Sequence, residues 1–337
     1  MKVSVVMTSY NGEKYIYEQM LSIYEQTMMP NEVIISDDCS QDKTVEIIEN
    51  FIKDHNLKNW KLIINSRNKG WMQNFIEVLA KAQGNYIFFS DQDDIWYKNK
   101  VETMVTVMEK HPKIHCLVGN VTYIDSYGTI IQGQPPFLAK DNFPKLINRK
   151  FSANFNAVIM LGCSMCITRK LADIIIQIDV KNVAFDEQCC RLGMLMDGTY
   201  ILGKPVIYHR QHEHNTSGFS ANINYGSSNL KKRIDITKNN IIWLEKLLRT
   251  SAVCQFLNNE KKFVIKNTIL FQNERLRFFS SKNVFRFIHL FKYRKYYLGI
   301  SMYLGDFAYT FHLNRLFGKI LQYIKAVANK GYNNDIG

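Results

Sequence analysis

The chain has 337 residues, 46% of them hydrophobic and 22% charged, which excludes a disordered polymer and supplies enough apolar material for a sizeable core. Its net charge of +13 suggests nucleic acid only until it is divided along the chain: residues 1–225 hold 23 Lys+Arg and 24 Asp+Glu, residues 226–337 hold 20 and 6. The basicity belongs to the last third, so two parts with different work are expected, residues 1–222 and 223–337, and a nucleic-acid partner is not.

The opening "MKVSVVMTSYNGEKY" has an apolar stretch too short for a secretory signal, so a cytoplasmic protein is expected. The seven cysteines, an odd number, fit reduced thiols in that compartment. Cys163 and Cys166 form a CxxC that Cys189 and Cys190 could complete as a zinc site, but without a second spaced pair all four read better as small buried hydrophobes. The sequons at Asn120 and Asn215 carry no meaning in the cytosol.

In chain order, "VSVVM" (3–7), "EVIIS" (32–36), "KLIIN" (61–65) and "NYIFFS" (85–90) read as strands of a parallel sheet buried on both faces. Helical patterns separate them. Ile16, Met20, Ile23 and Tyr24 mark one stripe, with Glu13 in its first turn. Val45, Ile48 and Ile52 mark a second, with Ser40 as its N-cap and Asp42 in the first turn. Val101, Met104, Val105 and Met108 mark a third. The alternation predicts a doubly wound α/β sheet, whose ligands sit beyond the carboxyl ends of the strands.

Those strand ends are "TSYNGE", "DDCS", "SRNKGW" and "DQDDIW". All are polar and two are acidic. With neither a GxGxxG nor a GxxxxGK[ST] motif to cradle phosphates, so acidic a site meets a phosphate through a divalent cation, which bridges carboxylate and phosphate oxygens. Asp91, Asp93 and Asp94 would otherwise repel one another strongly. The competing reading of the DxDD is an exposed acidic turn that leads into the next helix.

"VVMTSYNGEKYI", "IISDDCSQDKT", "NKGWMQNF" and "SDQDDIWYKNK", in that order and spacing, resemble the family 2 glycosyltransferases of GT-A fold, and within them the bacterial rhamnosyltransferase-like branch that builds surface polysaccharide. The resemblance covers about the first 220 residues; "LGCSMCITRKL" (161–171) and "YHRQHEHNTSG" (208–218) extend it. It implies a Rossmann-like, mostly parallel sheet flanked by helices, with a basic helical extension after it. It also implies inverting transfer of a sugar, rhamnose favoured, from a dTDP- or UDP-sugar to a saccharide hydroxyl. Thr8, Tyr10 and Glu13 would lie on the donor side, Asp38 would accept the N3–H of uracil or thymine, and Asp91 would contact the ribose. Asp93 and His212 would hold Mg²⁺ or Mn²⁺, with Asp94 close enough to contribute, and Arg210 and Asn215 would reach the diphosphate. Lys69 and Arg67 could assist there.

The branch's base lies in a His-Asp-Trp-Trp-like segment, which here reads "AFDEQCC". Asp186 is the expected base and Glu187 its rival; Phe185 and Gln188 depart from the pattern. The alternative to both is a solvated helix start with two acids favoured by the dipole. His209 and His214 receive no role, and Trp71 and Trp96 read as packing residues.

From Arg275 to Lys295 there are seven Lys/Arg and no acid, interleaved with Phe278, Phe279, Phe285, Phe287, Phe291 and Tyr293. "YYLGISMYLGDFAYTF" (296–311) is shorter than the ~20 residues of a membrane-spanning helix and is broken by Asp306. Cations and aromatics on amphipathic helices suit the headgroup region of an anionic bilayer. This agrees with an acceptor carried on a polyprenyl diphosphate, as is common in the resembling branch, and with a peripheral position on the inner face of the membrane. A helical subdomain with a solvated basic face is the competing reading. Against transfer stand a sugar-1-phosphate nucleotidyltransferase, which would want a Gly-rich loop where "MTSYNGEK" has a single Gly, and a catalytically inactive nucleotide-sugar or membrane-binding module.

Overall fold

The computed structural model describes residues 1–132, 146–158, 160–180, 182–213 and 230–313. Asn215 and His214 lie outside the described residues. The chain runs β1 (Val3–Ser9), α1 (Ile16–Tyr24), β2 (Glu32–Asp37), α2 (Thr44–Asp54), β3 (Trp60–Ile64), α3 (Trp71–Leu79), β4 (Tyr86–Ser90), β5 (Ile95–Trp96) and α4 (Lys100–Lys110). It continues through β6 (Cys116–Ile124), β7 (Leu146–Asn148), β8 (Met165–Thr168), α5 (Arg169–Ile178), α6 (Phe185–Leu195) and β9 (Thr199–Arg210). Helices follow: α7 (Leu230–Arg249), α8 (Ser251–Cys254), α9 (Asn259–Ser281), α10 (Val284–Leu290) and α11 (Ile300–Thr310).

The strands form one sheet in the order β3-β2-β1-β4-β8-β6-β9-β5, with β7 beside β9. β3, β2, β1 and β4 are parallel, as the apolar runs predicted, while β8 enters antiparallel between β4 and β6. The alternation of side chains along each strand builds a core on each face. On β1, Val3, Val5 and Met7 face α1, α2 and α4, while Val6 faces the side covered by α3, α5 and α6. Because 3-2-1 is followed by 4, the order reverses between β1 and β4, where a crevice opens in doubly wound sheets.

Several local expectations are corrected. β3 is the sheet's edge rather than a strand covered on both faces, and Ile64 is 53% exposed. α2 begins at Thr44, not after Ser40: the Ser40 hydroxyl donates to Asp37 Oδ2 and accepts from Asn11 N, and Asp42 Oδ1 takes the Thr44 amide instead. Glu13 precedes α1 by a turn, and its carboxylate accepts the Lys43 amide at 3.0 Å, tying the two loops together. Cys163 and Cys166 are buried in the core on one face of the sheet and Cys189 and Cys190 in the core on the other, which removes the four-cysteine zinc reading.

In the last third, Phe271, Phe278, Phe279, Leu290, Tyr296, Tyr297 and Tyr303 form a core of their own. Asp306, which had looked like a mere interruption, is its ionic centre: fully buried, it takes two hydrogen bonds from Arg275, one from Arg233 and one from the Tyr297 hydroxyl. No helix among the described residues is long and apolar enough to cross a membrane.

Candidate active site

The registers align the strand ends. Met7 stands opposite Ser90, Thr8 opposite Ser36, Ser9 opposite Asp37, and Asp37 opposite Ile64. The polar segments that follow β1, β2, β3 and β4 therefore share one edge of the sheet, around the β1/β4 crevice.

Each segment is fastened to its neighbours. Gln92 accepts the Tyr10 amide at 2.8 Å and donates to the Tyr10 carbonyl at 3.1 Å, so the loop after β4 holds the loop after β1. A Cβ on Gly12 would lie 2.2 Å from Gln92 Oε1 and displace that side chain from Tyr10. Thr8 is buried and Tyr10 is 44% exposed. Asp37 is structural, receiving Ser9 and Ser40. Asp38 accepts from the amides of Lys69 and Gly70 and from Asn65 Nδ2, so its carboxylate already fixes the turn after β3; an imide N3–H would have to compete with these bonds. The Lys69 ammonium is engaged with Glu77 at 2.6 Å and Asn65 at 2.9 Å rather than presented to a phosphate.

The Asp cluster is gripped by the end of β9. Asp94, buried, accepts His209 Nδ1 at 2.8 Å and the Arg210 amide at 3.1 Å. Arg210 donates through Nε to the Asp93 carbonyl at 2.8 Å, pairs with Glu18 at 2.5 Å, and lies 4.7 Å over the Tyr15 ring. It is 2% exposed, and through these contacts it braces the acidic loop. His212 Nε2 meets Asp93 Oδ2 at 2.9 Å, which brings together the two residues expected to hold a metal.

The crowding is visible in proton affinity. Desolvation, then the charges of Asp94 and Asp93, push Asp91 up to about 8. Desolvation would raise Asp94 too, but the His209 charge and hydrogen bond outweigh it and hold its pKa below the ordinary value. His209, which burial alone would lower, is pushed up to about 9 by Asp94. Asp94 and His209 thus behave as a buried ion pair. With Cys163 they form a cluster whose ligand-type atoms lie within 4.8 Å of one another; Asp94 Oδ1 and His209 Nδ1 are paired, while buried Asp94 Oδ2 and His209 Nε2 make no hydrogen bond. His209, which the sequence leaves without a role, finds its partner 115 residues away, beyond the reach of any local pattern.

Opposite this loop, α6 carries Asp186 in its first turn. Phe185 packs 4.2 Å from Phe75 and 4.5 Å from Phe89, ring centre to ring centre, and Gln188 donates to the carbonyls of Val180 and Val183 while accepting from Trp243. These two departures from the family segment are packing residues: Phe185 docks the helix start against β4, and Gln188 ties it to the preceding loop and to α7. The charge of Asp186 is felt at Asp91. Desolvation, then the charge of Glu187, raise Asp186 itself to about 7. Glu187 is paired with buried Arg191 at 2.5 Å, which leaves Asp186 the less committed of the two carboxylates. Trp96 is buried as expected, whereas Trp71 is 38% exposed and meets Phe185 edge-on at 6.4 Å.

A doubly wound sheet with an acid cluster at its switch point, and the Asp186 carboxylate near enough for its charge to be felt at Asp91, suits transfer of a nucleotide-activated group. The sequence profile of the family described as Glycosyl transferase family 2 matches residues 4–174. A dTDP-rhamnosyl transferase of Shigella flexneri, RfbG, is 30% identical over 283 residues, 78% of this chain and 91% of that protein. The chain belongs to glycosyl transferase family 2 and is a glycosyltransferase.

An Escherichia coli UDP-Glc:alpha-D-GlcNAc-diphosphoundecaprenol beta-1,3-glucosyltransferase is 35% identical over 125 residues, 37% of this chain and 47% of that one. Among solved structures, Staphylococcus aureus TarS 1-349 in complex with UDP-GlcNAc superposes with a TM-score of 0.58 at 18% identity, over 96% of this chain and 92% of that one, a likeness of fold.

Proposed function

We propose that the protein transfers a sugar, rhamnose favoured, from a dTDP- or UDP-sugar to a hydroxyl of a growing bacterial surface glycan carried on a lipid, with inversion. The observation that carries this is the convergence of Asp91, Asp93 and His212 at the β1/β4 crevice with Asp186 set against them from α6. The rhamnosyltransferase relative supports the donor, and the relative acting on a diphosphoundecaprenol-linked sugar supports the acceptor.

The donor set fits a divalent cation: Asp93 Oδ2 and His212 Nε2 are 2.9 Å apart, and burial, then the charges of Asp94 and Asp93, raise the proton affinity of Asp91 beside them. Asp93 and His212 would hold Mg²⁺ or Mn²⁺, with Asp91 beside them. When bound, such an ion neutralises charge on a departing diphosphate. The remaining work belongs to the chain. Thr8 and Tyr10 line the donor pocket, and Gln92 keeps their loop in place. The His209–Asp94 pair and Arg210 fix the acidic loop. Asp186 takes the proton of the attacking hydroxyl, a task suited to a carboxylate whose pKa lies near neutrality. Phe185 and Gln188 turn inward and leave Asp186 at the helix start, so the altered segment does not argue for an inactive protein.

Purified protein with dTDP-rhamnose or UDP-hexoses, Mn²⁺ and a lipid-linked saccharide should release nucleoside diphosphate and extend the acceptor. Asp186→Asn should keep donor binding and lose transfer. Indifference of thermal stability to every nucleotide sugar, with and without Mn²⁺, would count against the reading.

A further inference from the structure

A helix that packs on a protein normally turns its apolar stripe inward and its polar side to water. α10 does both and more. Phe287 and Leu290 face the helical core, where Phe287 stacks 4.3 Å from Tyr303 and 4.8 Å from Phe307. On its solvent side stand Val284, Phe285, Ile288 and Phe291, with exposures of 48, 80, 59 and 46%. Tyr303 packs against Phe291 at 5.8 Å and so brings the start of α11, with Ile300 60% exposed and Leu304 40% exposed, alongside them. This apolar face is bordered by exposed Arg286, Lys292, Arg294 and Lys295, and residues 275–305 contain seven Lys/Arg and no Asp or Glu. The charged groups of Lys292, Arg294 and Lys295 lie over the rings of Tyr293, Phe291 and Tyr296 at 4.8 to 5.3 Å. Where α9 meets α10, an open cavity of about 420 Å³ walled by Arg277, Ser280, Ser281 and Arg286 offers donors, with Glu274 paired to Arg277.

We infer that this α10–α11 face seats the enzyme on an anionic lipid bilayer, the exposed rings entering the headgroup layer while the surrounding cations meet lipid phosphates. A second copy of the chain is the poorer occupant, because a self-complementary contact would set this predominantly basic surface, with Glu274 beside Arg277 and Arg286, against itself. Bulky exposed aromatics ringed by cations match the interfacial region of a bilayer, where burial of apolar groups and attraction to anionic lipid act together. The inference deepens the proposed function, resting on its lipid-borne acceptor, and names the surface that brings the active site to it.

The test is co-sedimentation of the full chain with vesicles of phosphatidylcholine alone or phosphatidylcholine with an equal part of phosphatidylglycerol. Binding should be at least tenfold stronger to the anionic vesicles and fall in 0.5 M NaCl. The double variant Phe285→Glu/Ile288→Glu, on side chains already in water, should reduce it at least tenfold while thermal stability and hydrolysis of the nucleotide sugar in solution stay unchanged. Anionic-vesicle binding that ignores this variant, or equal binding to neutral vesicles, overturns the inference. So does a protein dimer in solution that the variant dissolves. Turnover of donor without vesicle binding would sink the membrane face alone; vesicle binding without turnover would sink the catalytic reading alone.

Discussion

The ring of Phe185 lies 4.5 Å from that of Phe89, and each leads within two residues to a carboxylate, Asp186 on α6 and Asp91 after β4. An apolar contact thereby sets the spacing between the base and the acidic cluster. Gly162 makes room for it: a Cβ there would fall 2.3 Å from Phe185 Cζ. Gly162→Ala should therefore cost about 1–3 kcal/mol of stability through overpacking. Its loss of kcat should exceed its change in donor affinity, because Asp186 moves while Asp91 and Asp93 do not. Equal kcat for the two proteins would show that the contact does not position the base.

The pH dependence follows from Asp186. A base must be unprotonated, and burial with the Glu187 charge places this carboxyl at about 7, so kcat/KM should climb about tenfold per pH unit below 7 and level off above it. Glu187→Gln removes a charge that raises the pKa and should shift the rising limb to lower pH without abolishing turnover. A limb unmoved by that change, in pH–rate profiles at saturating Mn²⁺, would assign it to another group.

Asp93→Ala and His212→Ala should each weaken metal-dependent binding of a nucleoside diphosphate, by about tenfold or more, and chelation of metal from the unsubstituted enzyme should do the same. Calorimetric titration with and without Mn²⁺ reads this directly. Loss of affinity confined to metal-free conditions is the outcome that would contradict it.

Arg210→Ala leaves the Asp93 carbonyl without its donor, Glu18 without its partner and a void beside Tyr15, and should cost about 3 kcal/mol in urea unfolding. Since the guanidinium acts as a strut, Arg210→Lys should recover part of the stability but little of the activity, a single ammonium being unable to span both contacts.

Asp306→Ala strands Arg275 and Arg233 in the interior of the helical extension and should destabilise it by about 3–5 kcal/mol. Because Asp306 lies in a core separate from those flanking the sheet, donor binding should survive at temperatures where the extension has loosened. Simultaneous loss of both, followed by circular dichroism and nucleotide binding, would show that the two parts unfold together.

What the sequence determined by itself was set by local chemistry. The apolar runs at Val3, Glu32, Lys61 and Tyr86 lie in strands, and the stripe through Val101 and Met108 is a buried helix face, because period and hydrophobicity are properties of a short segment. The four polar strand ends were legible for the same reason. Only the tertiary structure could show that β8 enters antiparallel, that β3 is an edge, or that Ser40 serves Asp37 instead of capping α2, since each depends on a partner elsewhere in the chain. Arg210 and Lys69 had the right type for phosphate binding, yet long-range neighbours, Asp93 with Glu18 and Asn65 with Glu77, claim their charges first. His209 acquired a role only when folding buried it against Asp94. A residue's chemistry is written in its side chain, but in a low-dielectric interior the nearest buried partner decides how that chemistry is used.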